Sequence, residues 1–254
     1  MGPTLLGHDH VRACTGHYGL AWTGMQQTMR WLEDLRQTRY QLIAHDFIGG
    51  LLLDLDQNEL AIAQFERGLA LGRATGILFW RAAIDTGLAV ARARLGQQED
   101  ASALRDTLEQ TRRTSERYLS VRCIDGLAEI ALAAGDLRRC RAYANELLAI
   151  AEPNGLREFE AAARRWRGEA FLAEKSCKQA QVELSRAAAM AHAVGRVRLE
   201  LDCETALARL FLAQGKSGAA QHHGDTVRAL ATAIGASLES SGLEARLRLP
   251  ADVC

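Results

Sequence analysis

The chain has 254 residues in which thirty-one Lys and Arg balance thirty-one Asp and Glu, so no net field draws it toward nucleic acid or an anionic membrane. No apolar run approaches the ~18 residues of a spanning helix, and the first twenty residues carry no secretory pattern, so a soluble, cytoplasmic protein is expected. Hydrophobic residues make up 48% and proline is confined to Pro3, Pro153 and Pro250, which favours helix nearly everywhere.

In chain order, His10 to Thr23 and Met25 to Leu35 read as an irregular hairpin over 5–40, turning at Gly24. From Ile48 onward a repeat of about forty residues sets in. A small residue recurs at Gly49, Ala89, Ala128, Gly168 and Ala208, in steps of 40, 39, 40 and 40, and another follows twelve later at Ala61, Ala101, Cys140, Ala180 and Ala220. Between them sits a turn residue, Asp56, Gly96, Gly135, Lys175 or Gly215, and each unit closes near Gly76, Glu116, Gly155, Gly195 or Gly235. A fixed period of this length signals stacked helical hairpins. The units are 41–77, 78–116, 117–156, 157–196 and 197–236, and 237–249 reads as a capping helix. The third unit shows the logic. Val121, Ile124, Leu127, Ala128, Ala131 and Leu132 form one apolar stripe, Gly135 breaks the helix, Asp136 caps the next, and Pro153-Asn154-Gly155 ends it. Small residues are expected where two helices cross closely, which explains a glycine inside a helix at Gly49 and Gly168.

A small residue followed by an alanine twelve later on a helix-turn-helix unit resembles the tetratricopeptide repeat, although these units exceed its usual 34 residues. The resemblance implies an all-α, right-handed superhelix of antiparallel helix pairs, about six hairpins plus a cap, that binds a protein or peptide. Leu5-Leu6-Gly7-His8-Asp9, Gly16-His17 and Gly19-Leu20-Ala21 resemble a segment of the repeat regions that follow ATPase modules in bacterial signalling proteins, some of which also carry a nucleotide cyclase domain. That likeness implies the interaction or sensor region of such a protein, without its catalytic modules.

The motif search yields little chemistry. Gly215-Lys216-Ser217 imitates the end of a phosphate loop, but it falls on a repeat turn and Leu210 stands where the first glycine is needed. His8, His10 and His17, and the adjacent His222 and His223, lack a complete ligand set, so no metal and no cofactor are expected. Six cysteines form no C-x-x-C pair, and Cys123, Cys140 and Cys203 sit in packing columns. No hydrolase, zincin or dinucleotide motif is present, and a non-enzyme is expected.

Because the first helix of each hairpin lines the inner face of such arrays, the register nominates Asp46, Arg94, Arg122, Asp125, Glu129, Arg165, Glu169, Asp202 and Arg209 as partner-binding residues in an exposed concave groove. Arg122, Glu129, Arg165 and Glu169 are expected to pair across neighbouring units. Phe79-Trp80 is the aromatic pair expected on the surface. The leading expectation is a non-catalytic protein- or peptide-binding scaffold, with a homo-oligomer possible. The alternative is a small-molecule sensor, which a deep pocket with Trp166, Phe171 and convergent arginines would favour. An enzyme would need polar groups converging from several units.

Overall fold

The computed structural model describes residues 2–77, 80–97 and 101–239. Among them run twelve helices: α1 (Gly2–Cys14), α2 (Tyr18–Asp34), α3 (Thr38–Asp54), α4 (Asn58–Thr75), α5 (Arg81–Arg94), α6 (Ser102–Arg113), α7 (Arg117–Ala133), α8 (Leu137–Ala151), α9 (Arg157–Ala173), α10 (Cys177–Ala193), α11 (Val197–Ala213) and α12 (Ser217–Glu239). The described residues contain no strand.

The backbone repeats at half the period of the sequence. Left-handed residues fall at Gly16, Arg36, Asp56, Gly76, Gly96, Ser115, Gly135, Gly155, Lys175, Gly195 and Gly215, about every twentieth position. Each ends a helix and turns the chain back. At all but Gly76, the N–H of the next residue donates to a carbonyl five residues earlier, as in Gln57 to Leu52 at 2.9 Å and Arg196 to Ala191 at 2.9 Å. Glycine serves this backbone without strain, whereas Arg36, Asp56, Ser115 and Lys175 adopt it at a cost of about 1–2 kcal/mol each. Asp136 caps α8 as its sequence predicts, its carboxylate accepting from the Arg139 N–H at 2.9 Å.

Two boundaries differ from expectation. The first turn lies at Gly16, not Gly24, so α1 and α2 share the register of the other hairpins: Gly16 stands forty before Asp56, and Ala21 forty before Ala61. Asp9 occupies the small-residue column of α1, and Gly24 makes room for it, since a methyl there would overlap the Asp9 carboxylate. At the other end, α12 runs through Gly235 to Glu239 without a break. The rest of the expected capping helix, with Leu247, lies outside the described residues.

Each helix packs on its sequence neighbours, and the odd-numbered helices also contact one another in succession from α1 to α11. Close approaches are made by small residues. Phe65 of α4 wedges between α3 and α5, where methyls at Gly49 and Gly87 would overlap its ring, and a methyl at Gly168 would come within 2.6 Å of Leu184. Of the small-residue columns, Ala61, Ala128, Cys140 and Ala180 have no exposed surface, whereas Ala89, Ala101 and Ala208 are half-buried.

The two ends of the array meet, which nearest-neighbour repeats do not require. Val197, the first residue of α11, packs its methyls against Gly16. Arg198 donates to both carboxylate oxygens of Asp56 at 2.8 and 3.0 Å, and to the Asp54 carbonyl. On α12, Ser237 Oγ accepts from the Gly19 N–H at 3.2 Å, and Leu238 joins the apolar cluster of Tyr18, Met25 and Leu42. The expected concave groove is therefore bridged where its ends meet, and its inner face becomes the wall of a partly open axial cavity.

Candidate functional site

The cavity has a volume of about 220 Å³ and is walled by α1, α3, α5, α7, α9 and α11. Seven of the nine nominated residues line it: Asp46, Arg94, Arg122, Asp125, Glu129, Arg165 and Asp202. Glu169 and Arg209 do not; they pair with each other at 3.7 Å farther along α9 and α11.

The pairings differ from those expected, because Arg122, Glu129, Arg165 and Glu169 each take a partner outside their own group. Arg122 skips a unit to clasp Asp46 with both terminal nitrogens, at 2.6 and 3.0 Å. It can do so because α5, which lies between, presents Ala83, Thr86 and Gly87 at the corresponding positions. Glu129 accepts from Arg94 at 2.6 Å, and Arg165 lies 3.1 Å from Asp202. These side chains are mostly buried, not exposed: Asp46 has no accessible side-chain surface and Arg122 keeps 21%.

Aromatic side chains follow the wall as an arc. His10 stacks on Phe47 at 4.3 Å, and Trp80, Tyr118 and Phe159 continue at ring spacings of 6.5, 6.1 and 6.0 Å. Trp80 does not stand out as a surface anchor: its indole N–H donates to Asp46 at 2.8 Å, and its backbone is left-handed. Its companion Phe79 lies outside the described residues. Burial and the nearby Arg196 hold the His10 imidazole at about 4, so it is neutral at neutral pH. Its neighbours His8 and Asp9 point elsewhere, His8 to solvent and Asp9 toward Arg12 at 3.0 Å. Among the described residues no three His, Cys, Asp or Glu side chains come together as a metal site.

A second indole organises the opposite stretch of wall. Trp166, buried on α9, donates its N–H to Asp125 at 2.6 Å, and the Arg165 guanidinium lies 4.1 Å above its ring. Burial raises the Asp125 carboxyl to about 6; the Trp166 hydrogen bond and Arg165 pull it down, and Glu129 pushes it up. Among the described residues no cation stands within ion-pair distance of Asp125. Arg165 pairs with Asp202 without forming an aligned hydrogen bond, and its buried Nε has no partner. Phe171, expected beside Trp166, lies outside this cavity beneath Arg141.

Several lining residues were not nominated. Asp54 shares the column of Arg94, five after the small residue, and Glu158 and Arg198 share the column of Tyr118, ten before it; the period could have found them. Cys14 and Arg196 could not be found so. The Arg196 guanidinium reaches Cys14 only because the ends of the array meet, while its Nε lies 3.7 Å from Glu158. Cys14, Cys123, Cys140, Cys177 and Cys203 are free thiols.

Among the described residues these features make an all-α arrangement of twelve consecutive helices packed on their neighbours, consistent with a helical repeat solenoid. Among the described residues no helix is long and apolar enough to cross a membrane. No protein-family model matches the chain, and no curated protein does either.

Proposed function

We propose that this chain is the ligand-sensing region of a regulatory protein, a tetratricopeptide-like right-handed superhelix that holds a small molecule on its axis and catalyses no reaction. The observation that carries this reading is the cavity, lined by side chains from six helices, Trp166 among them, with Arg165 and Asp125 incompletely paired. Ligand sites combine a concave, partly apolar wall with a few convergent polar groups, and this wall has that make-up. A ligand there touches both α3 and α11, so its binding energy bears on the contact between the two ends of the array. The resemblance of residues 5–24 to repeat regions of bacterial signalling proteins supports a sensor in the cytoplasm.

The scaffold reading moves from the groove to the outside. On α2, Leu20, Trp31 and Leu35 lie on one face and are 54%, 46% and 67% exposed, which favours a protein partner or a second copy there.

Gly50 supplies the test. It lines the cavity, and a Cβ built on it meets nothing within 4 Å, so Gly50→Trp is placed to occupy the cavity. Native mass spectrometry of the wild type after exposure to a bacterial small-molecule extract should show a bound compound and a raised melting temperature, and Gly50→Trp should show neither. Equal capture by both proteins would place binding elsewhere.

A further inference from the structure

The cavity wall does not balance itself, and the imbalance describes what would complete it. Of the carboxylates that line it, Asp46, Glu129 and Asp202 each lie against an arginine, and Glu158 faces Arg196. Asp125 has only the Trp166 indole on one oxygen, and Asp54 accepts only a long bond from the Tyr18 hydroxyl, at 3.5 Å. The wall therefore lacks a donor with positive charge beside Asp125. It also lacks an acceptor, because Arg165 lies against Asp202 without an aligned hydrogen bond, which leaves the terminal nitrogens of its guanidinium, beside Trp166 in sequence and in space, incompletely bonded. The missing donor and the missing acceptor flank the same indole.

A ligand that brings one charge only would answer half of this. An anion would satisfy Arg165 while facing Asp125 and Asp54; a cation would satisfy Asp125 while leaving the guanidinium nitrogen without an acceptor. A molecule carrying both charges on neighbouring atoms completes both and leaves the net charge of the wall unchanged. Phe47, Tyr118 and Phe159 line the same space together with aliphatic residues such as Leu51, Leu53, Val90 and Leu199. A volume of about 220 Å³ suits a compound of amino-acid size.

We propose that the axial cavity takes a small zwitterion of the α-amino-acid type, its ammonium group against Asp125, its carboxylate against Arg165, and its apolar side chain toward the aromatic arc. This rests on the reading of the cavity as a ligand site. The ammonium donates to the free Asp125 oxygen, and the carboxylate accepts from the terminal nitrogens of Arg165, so that each supplies what the other cannot.

The test compares three forms of one skeleton by calorimetry and by tryptophan fluorescence at pH 7.5. Leucine is set against isoamylamine and 4-methylpentanoate, and phenylalanine against phenethylamine and 3-phenylpropanoate. At least one zwitterion should bind at least tenfold more tightly than its amine and its acid. Asp125→Asn, which keeps an oxygen for the Trp166 N–H, should erase the preference over the acid, and Arg165→Met should erase the preference over the amine. Both variants should keep the helical spectrum of the wild type. Equal binding of a zwitterion and its amine or acid, or no binding by any of the six compounds, overturns the zwitterion. An extract compound that Gly50→Trp excludes would, in that event, leave the cavity reading standing and point to another ligand class.

Discussion

Two carboxylates occupy the same register position, three before the small residue of their units, and each accepts a hydrogen bond from a tryptophan: Asp46 from Trp80 and Asp125 from Trp166. Asp46 is also clasped by Arg122, whereas no cation among the described residues lies within ion-pair distance of Asp125. The register explains the difference. Arg122 stands six before the small residue two units after Asp46, and the equivalent position two units after Asp125 is Asp202, an acid. The intervening helix differs as well, α5 offering Thr86 and Gly87 where α9 offers Arg165 and Trp166. One register position thus yields a carboxylate neutralised by an arginine in one place and one without such a partner in the other. A buried carboxylate owes its role to what the neighbouring units set opposite it.

The Asp46 half is the easier to break. Arg122→Met leaves Asp46 buried with only an indole donor, and breaking a buried pair costs about 3–5 kcal/mol. Denaturant unfolding should show that loss, and Asp46→Asn added to it should restore part of the stability. An Arg122→Met protein as stable as wild type would make the two carboxylates equivalent.

The Asp125 half predicts a gain. With the folded Asp125 carboxyl at about 6 and an ordinary carboxylate near 4, the folded state binds the proton more tightly. Stability from this group is therefore full below about pH 4, falls as pH rises through about 6, and stays low above it. The groups that bear on this carboxyl are Trp166, Glu129, Arg165 and Arg196. Asp125→Asn removes the penalty, so it should raise stability by about 2 kcal/mol at pH 7.5 and change it little at pH 4. Melting curves at the two pH values decide it, and a loss at pH 7.5 would show that Asp125 is structurally paired.

The smallest effects test the two sides of α3 at adjacent residues. Gly49 faces Phe65 and Gly50 faces the cavity. Gly49→Ala should cost roughly 1–2 kcal/mol by overpacking, and Gly50→Ala should gain about 0.5–1 kcal/mol as alanine replaces glycine in a helix. The same sign for both would mean that the cavity side of α3 is packed, not open.

Much of this organisation is legible in the sequence, because it is local. Turns, stripes and close approaches repeat every forty residues, and the inward columns carry seven of the cavity residues. The first hairpin was legible too, through Gly16 and Ala21, but Asp9 stands where its small residue belongs and draws the eye to Gly24. Closure was not legible. Arg198 meets Asp56 across 142 residues and Arg196 meets Cys14 across 182, and a repeat pattern describes only what each unit offers the next. The pairing of Arg122 with Asp46 was missed for a related reason: it skips a unit, and depends on side chains that are absent from the helix between.

The contact of α11 and α12 with α1 to α3 also changes how the chain can come apart. In an open stack the terminal units have one neighbour each, and unfolding starts there at the expense of a single interface. Once the ends touch, the chain is a loop in which every unit has two neighbours, and releasing the first of them breaks two interfaces wherever it occurs. Fraying is replaced by a single opening event. Its weakest place is the junction held by Arg198, Arg196, Ser237 and Leu238, where the contacts are few and mostly polar.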